Sequence, residues 1–464
     1  MPHFDLCVIG TGSGNTIVDE RFADQQVAIV DGGIGPDGVF GGTCLNVGCI
    51  PTKMFVHPAD LAAGVDHARR LGVELSVAGV DWPAIRDRIF GRIDPIAAGG
   101  WRWRAEGMPN VTLVEGTGHF TGVRRFGVGE TEISADRFVI AAGSRPRIPQ
   151  VPGADRVVLH TNETVMRIDR LPERMVILGG GYVSAEFAHI FASFGVEVTV
   201  INRSDRLLRH EDEDVSRRYT QFASDRMRVR LAETLAAFEP LDAGRIRVHT
   251  ESPSGPHTYD TDLVLAAVGR IPNGDTLDVA ATGLSLDEAG RIPVDGRQRT
   301  AVEGIWALGD VSSRWMLKHV ANAEARTVRH NLLDPDHPVT TDHRYVPHAV
   351  FGSPQVASVG LTEQEAREQG VRYVAAVQEY ASVAYGWAME DQGHVCKLLA
   401  DPADGRLLGA HILGPQASSL IQPLIQAMST GLDVATMARG QYWIHPALPE
   451  VVENALLALP LDLD

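Results

Sequence analysis

The residues with the clearest chemistry are two cysteines, Cys44 and Cys49, which four residues separate. They lie in the glycine-flanked segment 41–53, where Pro51 follows the second cysteine. Proline is well tolerated in the first turn of a helix, so the pattern predicts a turn that opens into a helix running toward Leu61. The unpaired N–H groups and the dipole of a helix N-terminus favour an anion, so a thiol there should have a lowered pKa. The segment therefore predicts a thiolate that can attack a disulfide.

Two plainer roles for these cysteines are a structural disulfide and half of a zinc site. Four cysteines in a chain of 464 residues do not form a disulfide scaffold. A zinc site needs two further nitrogen or sulfur ligands, and neither Cys7 nor Cys396 has a second cysteine or histidine at ligand spacing. The pattern favours a redox-active pair, and we expect no metal site.

A candidate proton donor stands near the C-terminus, where His445 is followed by Pro446 and then by Glu450. Histidine titrates in the range needed to pass a proton to a departing thiolate, and a carboxylate can orient its ring. Alone, such a histidine and glutamate are more often surface residues. In a chain with a reactive cysteine pair, they are predicted to act as a catalytic dyad.

The N-terminal segment has the pattern of a dinucleotide-binding unit. An apolar run over 6–9 is typical of a buried parallel strand, and a second run over 27–30 ends at Asp31, placed to bond a ribose hydroxyl. The turn between these runs contains Gly10, Gly12 and Gly14. It is predicted to lead into a helix whose N-terminus holds a pyrophosphate. One departure is visible, because Asn15 stands where the motif expects its third glycine.

A second glycine motif follows the apolar run 175–178, and two such motifs imply two dinucleotides. Its glycines are Gly179, Gly180 and Gly181. An NADH-binding protein would carry an acid near position 202 or 203, but this chain has Asn202, Arg203, Arg206 and Arg209 in that region. Two charge-assisted bonds to a 2′-phosphate, at ~1.5 to 3 kcal/mol each, would favour NADPH by a factor on the order of a hundred or more. The alternative is a solvated basic loop.

Length and charge narrow the classes of partner. A chain of 464 residues is too long for one core and suggests roughly three domains. The net charge of −17 argues against a nucleic acid or an anionic membrane as partner. No apolar run approaches the ~18 residues that span a bilayer. We expect no signal peptide and a cytoplasmic location, where a cysteine pair is more often catalytic than structural.

Two further segments have recognisable sequence patterns. An apolar strand over 305–308 ends at Gly309 and Asp310, whose carboxylate could accept from a ribityl hydroxyl. Residues 55–107 have the pattern of two helices, and the segment 101–104 interleaves tryptophan with arginine. That interleaving could stack on single-stranded nucleic acid. In an acidic protein a helix with mixed faces is the better interpretation.

The motifs occur together in one order, and over essentially its whole length the chain resembles the flavoprotein disulfide reductases that include glutathione reductase and dihydrolipoamide dehydrogenase. The resemblance rests on the cysteine segment, both glycine motifs, Gly309-Asp310, and His445-Pro446 with Glu450. It implies an α/β fold with two Rossmann-like dinucleotide-binding domains and a C-terminal α+β dimerisation domain. The implied boundaries are 1–150 and 272–342 for the FAD-binding domain, 151–271 for the NADPH-binding domain and 343–464 for the dimerisation domain.

The resemblance also implies cofactor sites, with Asp31 on the adenosine ribose of FAD and Asp310 on its ribityl chain. The implied FAD site comprises Gly10, Gly12, Gly14, Asp31, Gly42, Thr43, Lys53, Gly118, Gly143 and Asp310. The implied NADPH site comprises Gly179, Gly181, Tyr182, Arg203, Arg209 and Gly269. Tyr182 is expected to cover the flavin until the nicotinamide displaces it, and Lys53 is expected to pair with Glu186 near the flavin.

The resemblance implies a relay in which NADPH reduces FAD and the flavin reduces a Cys44–Cys49 disulfide. Cys49 would be the charge-transfer thiolate against the flavin, and Cys44 would attack a small-molecule disulfide. His445 of the second subunit in a homodimer would protonate the departing thiol. Three alternatives stay open: an NAD-linked dihydrolipoamide dehydrogenase, which the arginines after the second motif disfavour, a flavin-linked quinone reductase, and a redox-sensing binding protein.

Overall fold

The computed structural model describes residues 1–461. The strands in this range are β1 (His3–Ile9), β2 (Val27–Asp31), β3 (Val111–Glu115), β4 (Gly118–Gly122), β5 (Arg125–Val128), β6 (Thr131–Ile140), β7 (Ser144–Pro146), β8 (Leu159–His160), β9 (Arg174–Leu178), β10 (Glu197–Ile201), β11 (Arg228–Arg230), β12 (Thr234–Pro240), β13 (Ile246–Ser252), β14 (Gly255–Thr261), β15 (Leu263–Ala266), β16 (Arg270–Pro272), β17 (Ile305–Ala307), β18 (His348–Val350), β19 (Val356–Gly360), β20 (Val374–Glu379), β21 (Val395–Ala400) and β22 (Leu407–Leu413). The helices are α1 (Gly42–Asn46), α2 (Cys49–Arg70), α3 (Trp82–Glu106), α4 (Tyr182–Ser193), α5 (Glu213–Arg226), α6 (Lys318–Leu333), α7 (Glu363–Glu368), α8 (Ala384–Ala388), α9 (Ala417–Leu420), α10 (Gln422–Thr430), α11 (Val434–Arg439) and α12 (Pro449–Leu457).

The first sheet has seven strands in the order β3-β2-β1-β6-β5-β4, and β17 pairs with β6. Strand β1 runs parallel to both β2 and β6. Its residues Leu6, Cys7 and Val8 are fully buried, which explains the continuous apolar run. Because β1, β2 and β17 are parallel, their carboxyl ends meet at one edge of the sheet. That edge carries the first glycine turn, Asp31 and Asp310.

The connection between β1 and β2 differs from the prediction. We expected an α-helix after the first glycine turn, but the chain forms two single-turn 3-10 helices, Gly14–Thr16 and Glu20–Phe22. The main-chain carbonyl groups of Asn15 and Val18 accept hydrogen bonds from Arg104 instead of from a following helical turn. The physical reason lies in α3, which brings a buried guanidinium beneath the turn and satisfies carbonyls that a helix would satisfy internally.

The second sheet is fully parallel, in the order β11-β10-β9-β15-β8. Helix α4 connects β9 to β10 and begins directly after Gly181, so the second glycine motif has the predicted strand, turn, helix and strand. A three-stranded antiparallel sheet, β12-β13-β14, and the two-stranded pair β7 and β16 complete this part of the chain. Strands β7 and β16 follow Gly143 and Gly269 directly, so they bring the ends of the two large sheets together.

The C-terminal part is a five-stranded antiparallel sheet, β18-β19-β22-β21-β20. Its apolar face packs with α9 to α12 around a core that includes Ile412, Leu424 and Val451. Lys397 of β21 has a side chain only 2% exposed, with Nζ 2.9 Å from Asp212 Oδ1 and 2.6 Å from both Asp214 Oδ2 and Glu363 Oε2. Since Asp212 and Asp214 lie at the start of α5, this buried ion cluster fastens the second parallel sheet to the C-terminal sheet.

Helices α2 and α3 match the two helices predicted between residues 55 and 107. Phe55 and Trp82 stack with ring centroids 4.9 Å apart and hold the two helices together. In the segment 101–104, Trp103 is exposed and Arg104 is buried, which agrees with a helix of mixed faces. Within residues 1–461 no helix is both long and apolar enough to cross a membrane.

Candidate functional site

The cysteine segment folds as two helices in succession. Gly41 has a φ of 109° and precedes α1, which carries Cys44; after Gly48, α2 begins at Cys49. A side chain on Gly48 would place its Cβ 2.9 Å from the carbonyl oxygen of Thr43, so the glycine permits the close approach of the two helices. The predicted turn into a helix is present, although α2 continues to Arg70, beyond the expected end near residue 61.

The two cysteines are free thiols with different acidities. A hydrogen bond between them lowers the pKa of Cys49 to about 7, although burial acts in the opposite direction, and the positive charge of Lys53 contributes to the lowering. The same hydrogen bond, together with burial, raises the pKa of Cys44. Cys49 is therefore the thiolate of the pair and Cys44 the thiol that donates to it. The lowered thiol pKa predicted at the helix N-terminus is found for Cys49 alone, the first residue of α2.

A partly buried ion pair lies one turn further along α2. Lys53 Nζ is 2.6 Å from Glu186 Oε2, and the Glu186 side chain is 6% exposed. The other carboxylate oxygen, Oε1, accepts from the backbone N–H of Phe351 at 3.0 Å. Lys53 Nζ also lies 4.9 Å from the centroid of the Phe351 ring. The expected contact between Lys53 and Glu186 is thus present, and Phe351 from the C-terminal part of the chain completes it.

Cys49 and Lys53 border an open cleft of about 630 Å³. Its other lining residues are Ile50, Met54, His57, Arg88 and Phe351. The cleft exposes the thiolate and the ammonium group on one surface, together with a second basic side chain, Arg88. A small molecule that enters it can therefore reach Cys49.

His445 and Glu450 form the expected hydrogen-bonded pair. His445 Nδ1 is 2.6 Å from Glu450 Oε1, and the other oxygen of Glu450 accepts from the backbone N–H of Ala447 at 3.1 Å. The bond to His445 lowers the pKa of Glu450. The His445 side chain is 70% exposed, and among residues 1–461 no hydrogen bond joins it to Cys44 or Cys49. One subunit alone does not bring the histidine and the cysteines together.

The first glycine turn and the cysteine segment form one cradle. Thr11 Oγ1 accepts from the backbone N–H of Gly41 at 3.0 Å, and a Cβ on Gly42 would lie 2.7 Å from Gly12 Cα. Gly12 itself faces open space, whereas a Cβ on Gly10 would lie 2.4 Å from a backbone oxygen. Thr43 follows Gly42 in α1. This cradle of bare backbone fits the pyrophosphate of a dinucleotide, which side chains would exclude.

The departure at Asn15 has a physical explanation. A Cβ on Gly14 would lie 2.7 Å from the Ala141 side chain and 3.2 Å from that of Val8. Gly14 therefore provides the close packing that the motif assigns to its third glycine, one residue earlier than expected. Position 15 has room for a side chain, and Asn15 Oδ1 accepts from Arg104 Nε at 2.7 Å.

Two carboxylates lie at the same edge of the first sheet. Burial raises the pKa of Asp31, at the end of β2, and that of Asp310, just after β17. Asp310 Oδ2 accepts from Ser144 Oγ at 2.6 Å, and Arg270 Nε donates to the same hydroxyl at 2.7 Å. Carboxylate oxygens accept hydrogen bonds from sugar or ribityl hydroxyl groups. The chemistry of both positions is compatible with the expected contacts to FAD.

Two other glycines expected at the FAD site have different surroundings. Gly143 has a φ of 67° and open space around its Cβ position, at the edge that holds Asp310. A Cβ on Gly118 would lie 2.4 Å from the oxygen of Gly127 and 2.4 Å from the Phe126 ring. The packing of β4 on β5 thus requires a glycine at 118 independently of any cofactor.

The second glycine motif also leaves its backbone bare. Gly179 has a φ of 112°, and a Cβ there would lie 2.4 Å from the oxygen of Ala267, whereas Gly181 faces open space. Tyr182, the first residue of α4, is 45% exposed. Gly269 has a φ of 112° and also borders open space. A helix of 12 residues directed at this open turn suits a phosphate group.

The loop after β10 presents two arginines to solvent. Asn202 is buried and its Nδ2 donates to the oxygen of Arg206 at 2.8 Å, which shapes the loop. Arg206 pairs with Asp205 at 3.2 Å. Arg203 and Arg209 are exposed, and within the described part of the chain no carboxylate bonds to either. Both guanidinium groups are available to an anion.

Comparison with known proteins identifies the family. The family described as "Pyridine nucleotide-disulphide oxidoreductase" matches residues 4–325, and its dimerisation domain matches residues 346–456. The chain is a pyridine nucleotide-disulphide oxidoreductase. Mycothione reductase from Mycobacterium tuberculosis is 50% identical over 99% of this chain and 100% of its own length. Dihydrolipoyl dehydrogenase from Haloferax volcanii is 34% identical over 97% of this chain and 96% of its own.

Solved structures agree with this family. The flavoprotein disulfide reductase RclA from Escherichia coli, an HOCl-induced protein, has a TM-score of 0.85 and 27% identity over 98% of this chain and 99% of its own. The oxidoreductase therefore has the predicted α/β fold with a C-terminal dimerisation domain. It is an NADPH-dependent flavoprotein disulfide reductase, and its cofactors are FAD and NADPH. In residues 1–461, no group of three or more His, Cys, Asp or Glu side chains could hold a metal ion.

Several residues of the oxidoreductase site escaped the sequence motifs. They are Thr11, Arg104, Ser144, Arg270 and Phe351. Ser144 directly follows Gly143, and Arg270 directly follows Gly269. Their position next to a glycine of the site is the sequence signal that could have identified them. Arg104 and Phe351 reach the site only through the tertiary fold.

Proposed function

We propose that the disulfide reduced by this enzyme is mycothione, the disulfide of a sugar-linked cysteine thiol. The carrying observation is the 50% identity to mycothione reductase over nearly the whole of both chains. Three segments of the sequence resemble that enzyme in particular: 11–15, 51–55 and 439–450. The first two segments hold the first glycine turn and the start of α2, and the third holds the His445–Glu450 pair.

The cradle around Gly12, together with Asp31 and Asp310, would hold FAD, and bound FAD would supply the transfer of an electron pair from NADPH to the cysteine pair. Lys53 places a positive charge beside Cys49, and Glu186 fixes the position of that charge. The second motif would bind NADPH, and Arg203 and Arg209 would bind its 2′-phosphate. Of the domain boundaries implied by the sequence, those at residues 150 and 271 separate the FAD site from the NADPH site. The boundary at residue 342 separates both sites from the dimerisation domain.

The reduced cysteine pair carries out two successive thiol–disulfide exchanges. Cys44, after losing its proton to a base, attacks one sulfur of mycothione, and the substrate S–S bond breaks to give a mixed disulfide and one thiol. Cys49, the thiolate of the pair, then attacks Cys44 of the mixed disulfide, which releases the second thiol and forms the Cys44–Cys49 bond. The cysteine pair supplies two electrons, Cys44 supplies one proton and solvent supplies the other, so that one disulfide becomes two molecules of mycothiol.

The base for Cys44 is His445 of the second subunit. Its side chain is 70% exposed on one subunit and bonded to Glu450, so its free ring nitrogen is available to a neighbouring molecule. His445 takes the proton of Cys44 and returns it to the departing thiol. The active unit is a homodimer, which the dimerisation domain supports, and its location is cytoplasmic.

A Cys44→Ser variant tests this proposal against a quinone reductase. We expect the variant to keep FAD and to lose NADPH-dependent reduction of mycothione, because the attacking sulfur is gone. A wild-type enzyme that does not reduce mycothione, with quinone reduction equal in the wild type and Cys44→Ser, would replace the proposal with a quinone reductase. An exposed serine substituted by alanine, such as Ser254→Ala, is the matched control.

A further inference from the structure

Arg104 is a buried guanidinium without a carboxylate partner. It lies on α3, is 6% exposed, and donates to three acceptors of the first glycine turn: Asn15 Oδ1 at 2.7 Å from Nε, the Asn15 carbonyl, and the Val18 carbonyl at 2.9 Å from Nη2. Its remaining contact is Met108 Sδ, 2.7 Å from Nη1. Within residues 1–461, every hydrogen bond that it makes is to a neutral group. A buried cation in neutral surroundings is costly and needs an explanation.

The nearby acid does not neutralise Arg104. The charge of Asp19 acts on Arg104, but its carboxylate is bonded to Arg21 and lies 3.4 Å from Arg329. Asp19 therefore compensates the positive charge of Arg104 only in part, and within residues 1–461 no carboxylate forms a hydrogen bond with Arg104. The turn itself lacks the α-helix whose dipole usually stabilises a dinucleotide phosphate, because only 3-10 turns follow it.

We propose that Arg104 is a positioning residue of the FAD site that takes over both tasks of the absent helix. Its hydrogen bonds to Asn15 and Val18 fix the shape of the turn between β1 and β2. Its charged guanidinium is hydrogen-bonded to the backbone that directly follows Gly12 and Gly14, and it attracts the pyrophosphate of FAD across that backbone. Asn15, at the position where the motif expects glycine, supplies the side-chain acceptor that orients Arg104.

The geometry explains why Asn15 can stand at the third glycine position of the motif. Gly14 already makes the close contact with Val8 and Ala141, so residue 15 is free to carry a side chain. The 25-residue helix α3 places Arg104 near its C-terminal end, from where the side chain reaches the carbonyls of Asn15 and Val18. The acceptor Asn15 and the donor Arg104 thus form one hydrogen-bonded unit, although they come from two distant segments of the chain.

The test measures FAD release from the holoenzyme, which needs no disulfide substrate and no turnover. Holoenzyme is diluted to low concentration and free FAD is quantified by its fluorescence at several potassium chloride concentrations. For Arg104→Met we expect the dissociation constant of FAD to rise about tenfold or more. We also expect this constant to change less with potassium chloride concentration than it does in the wild type. Arg104→Lys keeps the charge and should recover part of this loss, and Asn15→Ala should show a smaller increase.

Arg102, an exposed residue on the same turn of α3, provides the matched control, and Arg102→Met should bind FAD as the wild type does. Binding of NADP+ to the holoenzyme reports on the second motif and should be unchanged in all variants. The proposal is overturned if Arg104→Met retains FAD like the wild type. It is also overturned if Arg104→Met and Arg104→Lys lose FAD equally with no change in salt dependence, since the arginine would then serve packing alone. Neither outcome bears on which disulfide the enzyme reduces.

Discussion

Lys53 Nζ lies 2.6 Å from Glu186 Oε2, and this contact joins α2, which follows the first glycine motif, to α4, which follows the second. Phe351 adds a backbone N–H from the C-terminal part of the chain. Helix α2, helix α4 and the C-terminal part of the chain thus meet at the Lys53–Glu186 ion pair, next to Cys49. A fixed positive charge at this point can stabilise electron-rich groups on either side of it.

Replacing Lys53 should slow the electron transfer that NADPH begins. For Lys53→Met we expect the rate of flavin reduction by NADPH, measured by stopped-flow absorbance, to fall about 10- to 100-fold, the value of one or two charge-assisted hydrogen bonds. Arg69→Met changes an exposed cation at the other end of α2 and should leave the rate unchanged. An unaltered rate in Lys53→Met would remove this lysine from the relay.

Cys49 should carry the thiolate that gives the two-electron-reduced enzyme its long-wavelength charge-transfer absorbance. Cys49→Ser is expected to retain FAD and lose this band, whereas Cys7→Ser, in the buried strand β1, should keep it. Because the pKa of Cys49 is lowered to about 7, the thiolate forms above that pH, and the band of the wild type should fade as the pH falls through about 7. A band of equal intensity in Cys49→Ser would assign it to another group.

Arg203 and Arg209 should select NADPH over NADH. Each alanine variant is expected to raise the KM for NADPH about 10-fold or more and to leave the KM for NADH unchanged, because only NADPH carries the 2′-phosphate. Arg217, exposed on α5 and bonded to Glu213, provides a control substitution outside the loop. Equal changes for both nucleotides would show that the loop is merely a solvated basic segment.

His445 should act across the dimer interface. His445→Gln is expected to lower disulfide reduction by about 10²- to 10⁴-fold while NADPH still reduces the flavin, because only the proton transfer is lost. In dimers assembled from equal amounts of His445→Gln and Cys44→Ser subunits, half of the dimers are mixed and each has one intact site. Such a mixture should recover about a quarter of the wild-type activity. No recovery, with mixed dimers verified, would mean that the histidine serves its own subunit.

The helices and strands around the cysteines and the glycine turns could largely be predicted, because each has a local sequence pattern. The buried run before Gly10 is β1, and the proline after Cys49 lies in the first turn of α2. His445 and Glu450 are close in sequence, so their contact could be predicted from their spacing alone. The contact between Lys53 and Glu186 was expected only from the family resemblance, since no local pattern joins residues so far apart.

The missed features depend on tertiary packing. The connection after Gly14 had a helical pattern, but Arg104 from α3 satisfies its carbonyls and 3-10 turns form instead. Nothing in residues 10–31 indicates that a distant arginine would enter. Ser144, between Asp310 and Arg270, belongs to a network that only the pairing of β7 with β16 creates. The opposite acidities of Cys44 and Cys49 likewise follow from their mutual hydrogen bond, which spacing did not reveal.

The most direct test of the central claim is NADPH oxidation by the purified holoenzyme with mycothione, glutathione disulfide and lipoamide offered in parallel, followed by the best substrate with NADH. Preferential turnover of mycothione with NADPH is the predicted result. Preferential turnover of lipoamide with NADH would contradict both the substrate and the role of Arg203 and Arg209.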